Sequence, residues 1–221
     1  MQENILNVIR NRGAFLIEKW NIEFLDRNIY WNKGPSKFFY EEILKMHQGK
    51  DIDTLLSERP FLKDVYAGLA VWGLDRLGIK GPKMKDFEDF EEQIRINRDA
   101  IINLSTNKLP CDLSPIKEKI KDLFLKLDLM ETKQILVCNS KTLHFLVPTL
   151  FPIIDNEYIT FFFRNQKNFG SKREDQAEFF LQIMEIYSAL LNRYSIQGEN
   201  PLKVIDNAIV KYIRNKNVPK T

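Results

Sequence analysis

Apolar residues recur along most of the chain with the three-to-four-residue spacing of amphipathic helices. The segment 173–194 is the clearest case, because its apolar side chains fall in one stripe: Ala177, Phe180, Ile183, Met184, Tyr187, Leu190, Leu191 and Tyr194. A second segment, 199–215, starts with an Asn–Pro pair, and its predicted inward face comprises Leu202, Ile205, Ala208, Ile209, Tyr212 and Ile213. Strand-like alternation is scarce. The pattern therefore predicts an all-α fold, a helical bundle.

Local signals predict where several helices begin. A helix starts near Pro60 and runs from Arg59 to Gly78, with proline at its start and glycine at its end. The sequence SKRE at 171–174 is a capping box, which predicts a helix start there. Asn139 or Ser140 is the predicted N-cap of the helix SKTLHFLV, which puts Lys141 in its first turn.

The length of 221 residues suits a single domain, 1–221, and the chain shows no internal repeat or low-complexity linker. The stretch IKGPKMKDF is the best hinge candidate. It allows two packed helical lobes, 1–78 and 86–216, that meet around residues 79–85.

Composition narrows the function classes. Hydrophobic residues at 44% and charged residues at 29% are typical of ordinary globular proteins. No apolar run is long enough to span a bilayer, and the first residues lack a secretory signal, so we expect a cytoplasmic protein without membrane contact. Two cysteines and two histidines argue against a metal site. No glycine-rich phosphate loop is present, and we expect no cofactor.

The net charge is only +3, but the basic residues are unevenly distributed. Arg164, Lys167, Lys172 and Arg173 lie together with no acid between them, which favours a phosphate-binding face. A solvated helix face is the alternative interpretation. Trp31, beside polar residues, is the best candidate for an exposed surface that stacks on bases.

Lys141 and Asp155 are the candidate chemical residues. A lysine in the first turn of an apolar helix has its pKa lowered by the helix dipole and by burial, and a partly neutral amine is a nucleophile. The alternative is a lysine that reaches solvent or binds phosphate. Asp155 follows by 14 positions, enough for a helix and a reversal that brings both residues to one pocket, although it also suits a turn or N-cap. Ser140, His144 and Asp155 have the residue types of a hydrolase triad, but no glycine flanks the serine.

The lysine at a helix start, the apolar helix and the proline-containing turn that ends in aspartate resemble the signature of helix-hairpin-helix DNA glycosylases. Residues 129–160 are similar to archaeal 8-oxoguanine DNA glycosylases in particular. The resemblance implies that Lys141 attacks the sugar, that Asp155 is the catalytic carboxylate, and that residues 137–140, with Asn139 and Ser140, are the remains of a DNA-binding hairpin.

A second resemblance covers more of the chain. The stretches GPSKFFY, AVWGLDRLGIKGPKMKDFEDF and NSKTLHFLVPTLFPIIDNEYITFFF are similar to a widespread group of microbial proteins of comparable length. It implies one intact domain and no particular chemistry.

Three hypotheses follow. The first is a DNA-lesion glycosylase/AP lyase, or a glycosylase-like DNA-binding protein. The second is a non-catalytic nucleic-acid-binding module. The third is a helical protein-interaction or defence-associated protein.

Overall fold

The computed structural model describes residues 3–24, 34–74, 83–166, 169–196, 198 and 200–217. Within these ranges the regular secondary structure is helical, so the all-α prediction is confirmed. The α-helices are α1 Glu3–Lys19, α2 Pro35–Met46, α3 Ile52–Ser57, α4 Arg59–Leu69, α5 Phe87–Ile96, α6 Arg98–Ser105, α7 Lys117–Lys126, α8 Leu136–Leu146, α9 Phe161–Arg164, α10 Arg173–Arg193 and α11 Pro201–Asn217. Three π-helical turns are Trp20–Phe24, Ala70–Leu74 and Asn156–Thr160.

The apolar stripes of α10 and α11 face the core as predicted. Along α10 the buried members of the stripe are Ala177, Phe180, Ile183, Met184, Tyr187 and Leu190. Phe180 stacks on Phe124 of α7 with ring centroids 4.7 Å apart. Burial of such large side chains is the main force that holds α10 against α7.

The hydrophobic core draws on helices from both sides of the predicted hinge. α4 packs on α2 and α8, while α1 packs on α9 and α10. Of the hinge, residues 79–82 lie outside the described residues. Residues 83–85 pair with 129–131, since Lys85 N–H donates to Leu129 O and Glu131 N–H donates to Lys83 O, both at 3.0 Å. An isolated antiparallel bridge joins Met84 and Met130 between them.

The start of α8 differs from the prediction. α8 begins at Leu136, so Lys141 lies in the middle of the helix rather than in its first turn, and neither Asn139 nor Ser140 is an N-cap. Ile135 precedes the helix and has no side chain that caps it. The missing acceptor comes from α10, where Gln176 Oε1 accepts from the backbone N–H groups of Ile135 and Leu136 at 2.8 Å each.

Gln176 also joins three loop carbonyls. Its Nε2 donates to Lys133 O at 2.9 Å, Gly170 O at 3.0 Å and Lys172 O at 3.4 Å. The Gln176 side chain is fully buried, whereas the three residues that supply these carbonyls are exposed. One glutamine therefore fixes the start of α8 and the approach to α10. The predicted capping box is wrong, because α10 begins at Arg173 after Lys172, without a side-chain cap.

From residue 138 to residue 147 every residue is buried, which makes α8 a central helix surrounded by the others. None of the helices in the described ranges is both long and apolar enough to cross a membrane.

Candidate active site

An open cavity of about 510 Å³ lies where five segments of the described chain meet. Lys141 comes from the middle of α8, and Asp155 comes from the loop that follows it. The start of α2, the end of the helix that includes α4, and α11 complete the walls. Lys141 and Asp155, singled out in the sequence, therefore line one cavity. Its size falls in the range usual for small-molecule sites.

Lys141 points at the end of another helix. Its Nζ donates to Trp72 O at 3.3 Å and lies 5.4 Å from the centroid of the Trp72 ring. The helical run from Arg59 is interrupted here, because Gly73 adopts the left-handed conformation with φ 84°. Carbonyl groups at a helix end carry partial negative charge, so this position favours an ammonium group.

Burial acts on Lys141 in the opposite direction. The residue is 8% exposed. Burial lowers the pKa of the Lys141 amine from its ordinary value, while the negative charges of Asp155 and Asp206 oppose that decrease. The Lys141 amine therefore lines the cavity and loses its proton more readily than an exposed lysine does. The sequence assigned the lowered pKa partly to a helix start; the structure assigns it to burial.

Asp155 both caps a helix and faces the cavity. Its Oδ1 accepts from Tyr158 N–H at 2.7 Å and from Ile159 N–H at 3.3 Å, at the start of the π-helical turn that leads into α9. Its Oδ2 accepts no hydrogen bond from any residue that the structure describes. Burial and the charge of Asp206 raise the pKa of Asp155, and the charge of Lys141 opposes that rise.

The sequence analysis missed two charged residues at this cavity, Lys203 and Asp206 of α11. They form an ion pair one helical turn apart, and Asp206 is only 2% exposed. Lys203 Nζ lies 5.6 Å from the centroid of the Trp72 ring, so Lys203 and Lys141 both lie close to the same indole. The available signal was a charged pair beside the apolar stripe of α11. Trp72 is half-buried at the wall of the cavity.

Asn139 and Ser140 face the protein interior, which corrects their predicted role as nucleic-acid contacts. Both residues are fully buried. Asn139 Nδ2 donates to Phe124 O at 2.8 Å and Leu127 O at 2.9 Å, which satisfies the end of α7. Ser140 Oγ accepts from Ile154 N–H at 3.2 Å. Residues 137–140 are helical, so the expected hairpin does not lie there.

The triad residues do not form a chain of hydrogen bonds. His144 is fully buried, and its Nδ1–H donates to Phe151 O at 2.7 Å. The other nitrogen, Nε2, accepts from Tyr40 Oη–H at 3.2 Å. Burial lowers the pKa of His144 to about 3, so the imidazole is neutral. These contacts make His144 a structural residue.

The predicted basic face is divided among different roles. Arg173 is used internally, since it donates to Leu125 O at 2.7 Å at the end of α7 and pairs with Asp128 at 3.3 Å. Arg164 lies over the Phe169 ring, 4.0 Å from its centroid, and burial lowers its pKa. Lys172 is exposed just before α10. Lys167 and the proposed stacking residue Trp31 lie outside the described residues.

Among the residues with described positions, no group of three or more His, Cys, Asp or Glu side chains is arranged to hold a metal ion. Comparisons with protein-family models, curated proteins and solved structures gave no significant match.

Proposed function

We propose that the protein is a DNA glycosylase/AP lyase in which the Lys141 amine attacks the sugar of a nucleotide seated in the cavity. The observation that carries the proposal is the pairing of a buried lysine, its pKa lowered, with an aspartate that lines the same open cavity. Amine nucleophiles in enzymes are activated by this kind of desolvation. A nucleotide must leave the duplex to reach such a cavity, as in enzymes that flip their target base.

The proposed chemistry assigns roles to both residues. The Nζ lone pair bonds to C1′ while the C1′–base bond breaks, and its electron pair leaves with the base. The proton released by the amine passes to the departing base. The second N–H proton then passes to O4′ as the sugar ring opens, which leaves a C1′=N imine. Asp155 stabilises the positive charge that develops on the sugar.

The arrangement of Asp155 suits that role. Oδ1 is held by two backbone N–H groups, so the carboxyl group has a fixed orientation. Oδ2 accepts no hydrogen bond from a described residue, and Asp155 lines the cavity. A carboxyl whose pKa is raised exchanges protons closer to neutral pH, which supports proton transfer to the leaving base.

A further cation at the cavity could contact the DNA backbone. Arg214 of α11 lines the cavity, and its Nε donates to Tyr158 Oη at 2.9 Å. Its guanidinium lies 5.1 Å from the centroid of the Tyr158 ring. A guanidinium beside an aromatic ring at a cavity wall supports binding of a phosphate next to a seated nucleotide.

Borohydride trapping tests the proposal directly. Wild-type protein is incubated with duplexes that contain an abasic site or one of a panel of damaged bases, and hydride reduction of the imine yields a stable covalent adduct. We expect adducts in wild type and in Lys108→Gln, an exposed control lysine, and none in Lys141→Gln. Absence of a Lys141-dependent adduct across the panel would refute the lyase.

The non-catalytic module remains the second candidate, because the Trp72 carbonyl and the flanking carboxylates favour a charged Lys141 that binds phosphate. It predicts DNA binding that weakens steeply with salt and is unchanged by Asp155→Asn, without any adduct. The absence of nucleic-acid binding at low salt would instead favour a protein-interaction role.

A further inference from the structure

The ion pair of Lys203 and Asp206 has no role in the step described above, although it lies in the same cavity as Lys141 and Asp155. Asp206 uses Oδ2 to accept from Lys203, whereas its buried Oδ1 has no hydrogen-bond partner within the described part of the chain. A buried carboxylate oxygen without a partner costs stability, and such groups need an explanation other than packing.

We propose that the Lys203–Asp206 pair sets the charge state of Lys141 and Asp155, with Asp206 as the positioning residue and Lys203 as its counter-charge. The proposal rests on the proposed role of Lys141 as a reactive amine, and it does not depend on DNA as the substrate.

The geometry places the pair where its charges act on Lys141. Lys203 Nζ and Lys141 Nζ lie 5.6 Å and 5.4 Å from the centroid of the same Trp72 ring. Both side chains of the pair are largely shielded from water, at 15% and 3% exposure. Charges in such surroundings interact over longer distances than charges on a wet surface.

Groups from α8, α10, α11 and the loop before α9 contribute to this balance. Asp206 and Asp155 favour the protonated form of Lys141, and Lys203 disfavours it. Asp206 also raises the pKa of Asp155, so one carboxylate affects both reacting groups. From α10, the buried hydroxyl of Tyr187 has no hydrogen-bond partner among the described residues, and its pKa is raised by burial and by both carboxylates. Cys138 of α8 is buried, and burial raises the pKa of its thiol to about 12, which keeps it neutral.

Removal of each charge should therefore shift the pKa of Lys141 in a defined direction. Without the negative charge of Asp206, the protonated form of Lys141 loses a stabilising neighbour, and the amine becomes neutral at lower pH. Without the positive charge of Lys203, the protonated form loses a repelling neighbour, and the amine stays charged to higher pH. When both are removed, the two effects oppose each other.

Competitive labelling of folded protein with acetic anhydride measures the charge state without any nucleic acid. Mass spectrometry gives the labelling rate of Lys141 as a function of pH, with exposed Lys108 as an internal reference. For Asp206→Asn we expect the midpoint for Lys141 to move to lower pH by about one unit, the usual scale for a nearby charge. For Lys203→Gln we expect a move to higher pH.

The double variant Lys203→Met/Asp206→Leu guards against misfolding, because apolar replacement of a buried ion pair is usually tolerated. Its Lys141 midpoint should lie closer to the wild-type value than that of either single variant. An unmoved midpoint in Asp206→Asn, or equal shifts in the same direction for both single variants, would overturn the proposal. If no DNA adduct forms but these shifts occur, the glycosylase function fails and the role of the pair stands. If an adduct forms but the shifts do not occur, the glycosylase function stands and the proposed role of the Lys203–Asp206 pair fails.

Discussion

Replacement of Gln176 by methionine is the sharpest test of how this fold holds its central helix. Methionine has nearly the same length and volume, so the change removes hydrogen bonds without leaving a cavity. It leaves two buried N–H groups at the start of α8 without acceptors, since Ile135 and Leu136 are shielded from water. The three carbonyls that also lose a donor belong to exposed residues, where water replaces the donor.

The magnitude follows from the two amides. Each buried donor left unsatisfied costs about 1–3 kcal/mol, so the two together predict that Gln176→Met lowers the free energy of unfolding by about 2–6 kcal/mol. With a urea m-value of about 2–3 kcal/mol/M, the midpoint of urea unfolding should fall by about 0.7–3 M. Gln176→Glu keeps an acceptor oxygen for the two N–H groups and should lose less stability at acid pH, where the protonated carboxyl group also keeps one donor.

Gln182 provides the matched control, because it lies on the same helix and its buried Oε1 has no hydrogen-bond partner. Gln182→Met should therefore change stability by less than about 0.5 kcal/mol or increase it. Urea unfolding followed by circular dichroism measures all three variants under the same conditions. If Gln176→Met and Gln182→Met lose the same amount, the distant cap does not hold α8.

Two further predictions concern buried polar groups. Because burial lowers the pKa of His144 to about 3, its imidazole should show no titration between about pH 8 and pH 4 in NMR spectra, which the His47→Gln variant helps to assign. The protein should also lose stability as the pH falls below 6.5, the ordinary pKa of histidine, because only the unfolded chain gains a proton on His144 in that range. Asn139→Asp should cost about 4 kcal/mol at pH 7, roughly the free energy of protonating a carboxyl that is ionised in the unfolded chain, and should recover stability toward acid pH. Exposed Asn103→Asp is the control for the second prediction, and a pH-independent loss would contradict it.

The helices with strong apolar periodicity were predictable, and the helix ends often were not. The apolar stripes of α10 and α11 define the inward faces of these helices whatever their neighbours are. The helical period alone was therefore sufficient to predict the burial of residues such as Phe180 and Ile209. The start of α8 was misplaced because its acceptor comes from Gln176, 40 residues away along the chain. A local capping signal at Asn139 therefore gave the wrong boundary.

The candidate site was predictable only in part, for a related reason. Lys141 and Asp155 lie on either side of one reversal, so their common cavity follows from nearby sequence. The contribution of Trp72, Lys203 and Asp206 depends on how remote helices pack, and nothing local distinguishes that ion pair from a solvated one. Polar residues such as Asn139 and Ser140 resembled ligand contacts because sequence does not reveal which polar groups satisfy a neighbouring backbone.

The position of α11 has a consequence for newly made protein. α8 leaves the ribosome well before α11, and until α11 arrives Lys141 lacks Lys203, Asp206 and one wall of its cavity. The cavity around this amine is therefore complete only after α11 has been synthesised and has docked, and shortened fragments without α11 lack one of its walls.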